Sequence, residues 1–245
     1  MKKKQPIPAR RDRADQTRSN ILQAAIREFS VHGLAGARTD AIAESAKANK
    51  ALLYYYFKSK SGLYTAALEE IASAVVERTL RALDPGHSAG ERLLRAALSH
   101  FDRIMTQHEF QSLLQQEMVR LRRGESGTVS TLVKKVFRPL LARLRETIEE
   151  GIRTGELCEL DWLQIVYSML GANVFYFLSA PMMQLAMPFD PFDVSVLEAR
   201  RKAAVQLLGK TLFVDRAHGA RLAKRVLAEM PMPQIKKDQV WRKCL

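Results

Sequence analysis

The chain has 245 residues, of which 47% are hydrophobic and 27% are charged, and its formal net charge is +13. A chain of this length can bury an adequate core, and its two isolated cysteines, Cys158 and Cys244, suit a reducing cytoplasm and offer no zinc-ligand spacing. The positive charge lies at the ends, because residues 1–60 carry a net charge of +8 and residues 216–245 carry +6, whereas residues 61–215 carry −1.

The pattern of residue types predicts an all-helical protein. Long stretches are rich in Ala, Leu, Glu and Arg, β-branched residues do not form alternating runs, and Asn-Gly and Asp-Gly hairpin turns are absent. Residues 1–14 are rich in Pro, Lys and Arg, and we expect them to form a flexible basic arm. No apolar stretch follows the Lys-rich start, so we expect no secretory signal peptide.

The first predicted helix covers residues 16–32. Ile21, Leu22 and Phe29 recur there at helical spacing and mark one apolar face. Gly33 follows and supplies the residue that most easily ends a helix in the left-handed conformation.

Two short helices are predicted next. Thr39 is placed to cap the first, and Asn49 is placed to cap the second, which covers residues 50–56. Leu53 and Phe57 of the second helix face the core. Two short helices joined by a tight turn form a helix-turn-helix, whose second helix fits the major groove of duplex DNA. The motif therefore predicts a DNA-binding protein.

The rest of the chain is predicted to form further helices, over about residues 60–83, 88–107, 109–123, 128–154, 162–180, 193–214 and 218–230. Ser88 and Asp161 are placed to cap two of these helices. Pro139 lies within one of them, so we expect a kink or a helix start there. Polar residues and Pro181 interrupt the apolar window 162–187. We therefore expect a buried helix and a Pro- and Met-rich loop over 181–191, not a membrane span.

At Thr39-x-x-Ile42-Ala43 and at Leu53-Tyr54-Tyr55-Tyr56-Phe57-Lys58-Ser59-Lys60-x-x-Leu63, the chain resembles the tetracycline-repressor (TetR) family of bacterial transcription regulators. The specific resemblance covers about residues 16–64. It implies an N-terminal three-helix helix-turn-helix DNA-binding domain and a C-terminal helical domain that binds a ligand and dimerises.

These expectations divide the chain into four parts. The flexible basic arm is 1–14, the DNA-binding domain is 15–62, the ligand-binding and dimerisation domain is 63–214, and a basic C-terminal extension is 215–245. The family does not explain the charge of the extension, which either contacts DNA or keeps a tail solvated.

Two residues depart from the usual pattern of the family. Lys47 stands in the turn where Gly is usual, and Ala51 replaces a Gly early in the recognition helix. If the backbone at Lys47 is left-handed, a non-Gly residue costs about 1 kcal/mol there. The methyl group of Ala51 is placed to touch a thymine methyl.

The recognition helix supplies most of the candidate DNA contacts. Lys50, Ala51 and Leu52 begin this helix, and Lys50 can donate to guanine O6 and N7. By resemblance, Tyr54, Lys60 and Thr39 bind backbone phosphates, which fix the register without reading the sequence. The full set of candidates is Thr39, Lys47, Asn49, Lys50, Ala51, Leu52, Tyr54, Tyr55 and Lys60.

By resemblance, the middle helices enclose a cavity for an inducer. Aromatic, Met and a few polar side chains match the usual lining of a small-molecule pocket, although a helical bundle needs the same residues for packing. An amide such as Asn173 on so apolar a helix needs a partner, which is a ligand, a neighbouring residue or a water. The candidate ligand-binding residues are Phe101, Met105, Leu114, Met118, Phe137, Leu144, Met169, Asn173, Tyr176 and Phe177.

The resemblance also implies a homodimer, in which the helices over 162–180 and 193–214 pair with their symmetry mates. Two-fold proteins read palindromes whose half-sites are about 34–36 Å apart. The candidate interface residues form an apolar stripe on the second helix: Val194, Leu197, Val205, Leu208 and Leu212.

The sequence therefore predicts a cytoplasmic, ligand-responsive DNA-binding regulator, a homodimeric repressor that a small molecule releases from a palindromic operator. Two alternatives stay open: a regulator of the same fold controlled by a protein partner without a small-molecule ligand, and a helical enzyme with a basic arm. Catalytic motifs are absent, and His100, His108 and Glu109 are too loosely spaced for a metal site. We expect no cofactor.

Overall fold

Helices dominate the described part of the chain, residues 10–125 and 127–234 of the computed structural model, with side chains described from residue 13 onward. The predicted all-α fold is confirmed, and the β-bridge found among these residues joins Leu157 to Phe213. The remainder of the predicted arm, 1–9, and the tail 235–245 lie outside the described residues.

Eleven α-helices and one π-helical turn follow one another along the described residues. Their bounds are α1 Arg10–Gly36, α2 Thr39–Ser45, α3 Lys50–Phe57, α4 Lys60–Ala82, α5 Ala89–Thr106, α6 His108–Arg122, α7 Gly127–Leu132, the π-turn Val133–Phe137, α8 Arg138–Arg153, α9 Trp162–Ala186, α10 Val194–Thr211 and α11 Arg216–Glu229.

The helices group into two compact units. Unit 1 contains the described residues up to Ser73 together with Glu109–Ser130, and unit 2 contains Ala74–His108 and the described residues from Thr131 onward. The boundary between Ser73 and Ala74 falls inside α4, so this helix contributes to both units.

The core of unit 1 forms around Phe29 of α1, whose ring meets the ring of Tyr64 edge to face at 5.0 Å. Gly33 has a φ of 65°, which agrees with the predicted helix stop, although one more turn follows it. The start of α1 at Arg10 shows that the expected arm is wrong for residues 10–14, where Arg and Ala favour helix.

A buried polar network joins α4 to α6 within unit 1. The Tyr64 hydroxyl donates to Glu117 Oε1 at 2.8 Å, and Arg120 donates to the same oxygen at 2.6 Å. Burial and the Glu117 carboxylate raise the pKa of Tyr64, so its phenol stays protonated at neutral pH. Removing one partner would leave a buried charge uncompensated, so the network holds α6 on α4.

Helix α5 is central to unit 2 and contacts α8, α9, α10 and α11. Its charged residues are buried with partners: Arg92 pairs with Glu150 of α8 at 2.6 Å, and Glu91 pairs with Arg95 and with Arg225 of α11. Ser88 accepts from the Glu91 amide, which confirms the predicted cap of this helix.

Helix α11 is part of the core of unit 2. Leu222, Ala223 and Val226 are buried in the same hydrophobic cluster as residues of α5 and α10. Gly209 and Gly219 let α10 and α11 approach closely, because a Cβ added at Gly219 would lie 2.0 Å from the Gly209 oxygen. Residues 216–229 of the predicted extension are therefore packed, not a solvated tail.

Pro139 is near the start of α8, directly after the π-turn Val133–Phe137. Proline has no N–H to donate to the carbonyl four residues earlier, and a π-turn is one of the irregularities that absorb such a break. The predicted kink or helix start at Pro139 is confirmed as a helix start.

Helix α9 is longer and more exposed than predicted. It continues through Pro181 to Ala186, so the loop expected over 181–186 is wrong. By length and composition it is apolar enough to cross a bilayer, but 33% of its most apolar window is buried within the protein. Asn173 lies on the buried face and Phe175 on the exposed face, so the helix is buried along one side only.

Candidate DNA-binding surface and effector region

The turn between α2 and α3 is held by backbone hydrogen bonds and by one left-handed residue. The amide of Ala48 donates to the Ala43 carbonyl at 3.0 Å, and that of Lys47 donates to Glu44 at 3.0 Å. Lys47 has a φ of 52°, so the left-handed backbone that was stated above as the condition for strain at this residue is present. Its side chain is exposed, so the turn presents an amino group to solvent.

Helix α3 begins where the sequence predicted, because Asn49 Oδ1 accepts from the Leu52 amide at 2.8 Å. Leu53 and Phe57 are buried, whereas Lys50, Ala51 and Leu52 are exposed at the N-terminal end. The first turn of the recognition helix is therefore accessible to a ligand.

The predicted capping role of Thr39 is wrong. Thr39 is the first residue of α2 and is half-buried, and the capping position belongs to Arg38. The amide of Arg38 donates to Glu28 Oε1 of α1 at 2.9 Å, so a residue distant in the chain anchors this helix start.

Lys50 forms an ion pair that the sequence analysis did not anticipate. Its Nζ lies 2.8 Å from Asp40 Oδ1 and 3.1 Å from Oδ2, and Asp40 is in the first turn of α2. The hydrogen bond to Lys50 lowers the pKa of Asp40 and raises the pKa of Lys50 in return. The two residues lie ten positions apart in sequence and on different helices, so no rule of helical spacing predicts this ion pair.

The end of α3 carries aromatic and basic side chains. Tyr55 is 69% exposed and Tyr54 is 40% exposed, and the Lys58 amino group lies 5.6 Å from the centre of the Tyr55 ring. The Tyr56 hydroxyl donates to the Ala14 carbonyl at 3.4 Å, so this residue contacts α1. Lys60 donates to the Ala35 carbonyl at 2.9 Å, which leaves two further N–H donors on its amino group.

The predicted ligand-binding residues separate into several places. Phe101, Met105 and Phe177 are buried in one hydrophobic cluster of unit 2, with Tyr176 packed against it. Leu144 and Met169 belong to the other core cluster of that unit, and Phe137 is half-buried in the π-turn. In unit 1, Leu114 of α6 is half-buried and Met118 is 53% exposed. The ten candidate residues therefore lie in different parts of the fold.

Asn173 is 1% exposed, and its two side-chain polar atoms differ in their hydrogen bonding. Its amide nitrogen donates to the Ala97 carbonyl at 3.1 Å and lies 3.4 Å from His100 Nδ1. Its Oδ1 has no hydrogen-bond partner among the described residues. Burial lowers the pKa of His100 to about 3, so the ring beside the amide is neutral.

The interface stripe predicted on α10 is wrong for four of its five residues. Leu197, Val205, Leu208 and Leu212 are buried in the protein's own core, because α5 and α11 cover that face, and only Val194 is exposed. The exposed large apolar residues of α9 instead form a stripe at helical spacing: Tyr167, Phe175, Leu178, Met182 and Leu185.

A capped and exposed recognition helix after a tight turn defines a helix-turn-helix transcription regulator. The family model described as "Bacterial regulatory proteins, tetR family" matches residues 21–67, and a "Tetracyclin repressor-like, C-terminal domain" model matches residues 90–208. The chain belongs to the TetR family of bacterial transcriptional regulators, and its relatives include proteins that are named as transcriptional repressors.

Individual relatives agree with this assignment. Over 173 residues the chain is 30% identical to the transcriptional repressor NicS of Pseudomonas putida, which covers 69% of this chain and 78% of NicS. A Saccharomonospora viridis regulator solved in complex with choline has a TM-score of 0.64 at 16% identity, covering 81% of this chain and 98% of that one. The ketosteroid regulator KstR2 of Mycobacterium tuberculosis has a TM-score of 0.60 at 18% identity, covering 86% and 98%. The two structures establish the fold alone.

Replacing Lys47 separates backbone strain from charge. Lys47→Gly should raise the free energy of unfolding by about 1 kcal/mol, because glycine adopts positive φ without a Cβ clash. Lys47→Ala keeps the strain and should stay within about 0.5 kcal/mol of the wild type. Urea unfolding measures both changes. If the Lys47→Gly protein were less stable than the Lys47→Ala protein, the claim that the backbone is strained at this residue would be wrong.

Proposed function

We propose that the protein is a homodimeric repressor that binds a palindromic operator through α3 and leaves it when a small molecule binds. The observation that best supports this proposal is that the first turn of α3 is exposed, while Leu53 and Phe57 on the opposite face of the helix are buried. Operator DNA is in the bacterial cytoplasm, so we infer that the protein acts there.

In the proposed complex, some residues of α3 and its flanks contact base edges and others contact phosphates. Lys50, Ala51 and Leu52 face base edges, where an ammonium group recognises guanine and apolar groups contact thymine methyls. Lys47 and Lys60 are cationic and Tyr54 carries a hydroxyl, which suits phosphate oxygens. Thr39 and Asn49 begin the two helices, whose amide ends favour phosphate, and Tyr55 adds an exposed ring at the far end.

Operator selection tests the proposal. From random duplexes at moderate salt, the wild-type protein should select a palindrome, because two symmetric copies of α3 read two half-sites. Lys50→Ala should relax the preference at one base position per half-site, with a loss of about 1–3 kcal/mol of discrimination. Recovery of no palindrome would overturn the proposal, and unchanged base preference in Lys50→Ala would overturn the role of that residue.

Asp40 has a proposed part in specificity. A carboxylate next to the recognition helix repels phosphates, yet here it holds the amino group of Lys50 through two contacts. An exposed ion pair of this kind contributes little to stability. Its main effect is therefore to fix the position of the Lys50 amino group. We infer that Asp40 limits non-specific binding by Lys50.

Asp40→Asn checks this role. Non-specific affinity should rise and its salt dependence should steepen by about one ion, because Lys50 becomes available to phosphates and a repulsive charge is lost. Discrimination between operator and random duplex should fall. Glu44→Gln, which removes an equal charge from α2 without removing the ion pair, is the control and should keep discrimination. Equal discrimination in wild type and Asp40→Asn would count against the proposed role.

The exposed stripe on α9 is the proposed dimer interface. Its apolar residues recur every three or four positions, and Gly171 continues the stripe with nothing within 4 Å of an added Cβ. An apolar patch of this kind marks an interaction site, and a second copy of α9 is equally apolar. The partner copy would cover side chains that are otherwise exposed, such as Leu185, which is 92% exposed.

Phe175→Glu should dissociate the dimer. Phe175 is 64% exposed in the chain, and a carboxylate in an apolar interface would be buried without a partner. Sedimentation velocity should show association weakened by at least about tenfold, with helical content retained. Val31→Glu alters an exposed apolar residue of α1, which is 62% exposed, and should remain dimeric. A dimeric Phe175→Glu protein would place the interface elsewhere.

The release step rests on ligand binding to unit 2. The S. viridis protein shows that a member of this fold can hold a small molecule. A ligand that binds better to the DNA-incompetent state lowers operator affinity by linkage, and operator lowers ligand affinity equally. Helix α4 contributes residues to both unit 1 and unit 2, and we propose that it carries the effect of the ligand to α3.

A further inference from the structure

A groove of about 500 Å³ lies between α10 and α11, two helices of unit 2. The helices approach closely at Gly209 and Gly219, where an added Cβ would meet the backbone of the other helix. Along α10 the groove extends from Lys202 to Lys210, and this stretch of helix is about 12 Å long. The groove therefore has room for about two turns of another helix.

The apolar lining of the groove comes from α11. Ala220 and Leu227 are half-buried, and Leu227 also packs against the hydrophobic core of unit 2. Ala228 is exposed, and its methyl group is small, so a partner can come close there. The α11 side of the groove lies beyond residues 90–208, which the family's C-terminal model matches, so the groove is not a general feature of that domain.

Three lysines supply the charge of the groove. Lys202 and Lys210 lie about two turns apart on α10, and Lys224 lies on α11. All three side chains are exposed, and within 10–125 and 127–234 none of them forms an ion pair with a carboxylate. Gln206, between the two lysines of α10, adds an uncharged amide.

Neighbouring cations of α11 are paired within the protein. Arg221 lies 3.8 Å from Asp215, and Arg225 binds the buried Glu91 of α5. The charge of the groove lysines is instead left to solvent. A partner that brings carboxylates to them gains attraction without first breaking an ion pair of the protein.

We propose that this groove binds an acidic amphipathic helix of another protein. Its carboxylates lie on the three lysines, and its apolar side chains cover Ala220, Leu227 and Ala228. Carboxylates two turns apart on such a helix have the same spacing as Lys202 and Lys210. An amphipathic helix in an apolar groove is a recurring mode of recognition between proteins.

Two other occupants match the lining less closely. The phosphate backbone of a duplex supplies negative charge but no apolar group to cover the alanine and leucine side chains. The end of the chain itself, 235–245, contains four Lys/Arg and one Asp in its sequence, so the lysines of the groove would repel it.

Fluorescence anisotropy with a labelled synthetic peptide tests the charge and the apolar contact separately. The probe is a helical peptide of about four turns with Leu on one face and Glu on both flanks of that face. It should bind the full-length protein at least about tenfold more tightly than a peptide with Gln for Glu or one with Ser for Leu. Equal affinity of either matched peptide would overturn the proposal.

Two pairs of surface variants locate the peptide. Lys224→Gln should weaken its binding about threefold, whereas Lys134→Gln removes an equal charge from an exposed residue outside the groove and should have no effect. Ala228→Gln fills part of the groove without changing the charge and should also weaken binding about threefold. Ala217→Gln makes the same change on α11 outside the groove and should bind as the wild type does. If only the lysine variant weakened binding, the attraction would be non-specific and the proposed site would be wrong.

A duplex without operator sequence is titrated in parallel. Lys224→Gln should bind it as the wild type does. If the variant lost as much affinity for the duplex as for the peptide, the groove would be a surface for nucleic acid, against the proposal. None of these measurements contains the operator, so failure of peptide binding leaves the proposed repressor function unaffected, and failure to select an operator leaves the groove unaffected.

Discussion

Burial of Leu53 and Phe57 is the interaction on which the DNA-binding surface depends. Helix α3 has eight residues, and an isolated helix of that length does not persist in water. These two apolar side chains, one turn apart, hold it against the rest of unit 1, and Asn49 satisfies an amide at its start. Since Leu53 and Phe57 lie on one face, the other face is left exposed and carries basic and aromatic side chains.

Two buried arginines of unit 2 each pair with a carboxylate on another helix. Arg92 binds Glu150 of α8, and Arg201 binds Asp102 from α10. Such pairs add little net stability, but breaking one leaves a buried charge alone, so they specify which helices pack on α5. Arg201 also holds the start of the segment after α11, because it donates to the Met230 carbonyl.

Local features were predicted well because their physics is local. The caps at Asn49, Ser88 and Asp161 are bonds between a side chain and an amide two or three residues away, and all three are confirmed. The cap at Thr39 failed because Glu28 of another helix satisfies the neighbouring amide. The helix stop at Pro181 failed because one missing hydrogen bond did not end a helix whose other face is packed.

The sequence by itself determined the helical class and the helix-turn-helix, because each depends on residues close together in the chain. Only the tertiary structure decided which face of α9 is exposed, since both faces are apolar and periodicity cannot choose between them. It also decided that α11 covers the stripe on α10, that Asp40 meets Lys50, and that Lys202 and Lys224 line the same groove. Those contacts join residues distant in sequence, and helix packing alone brings them together.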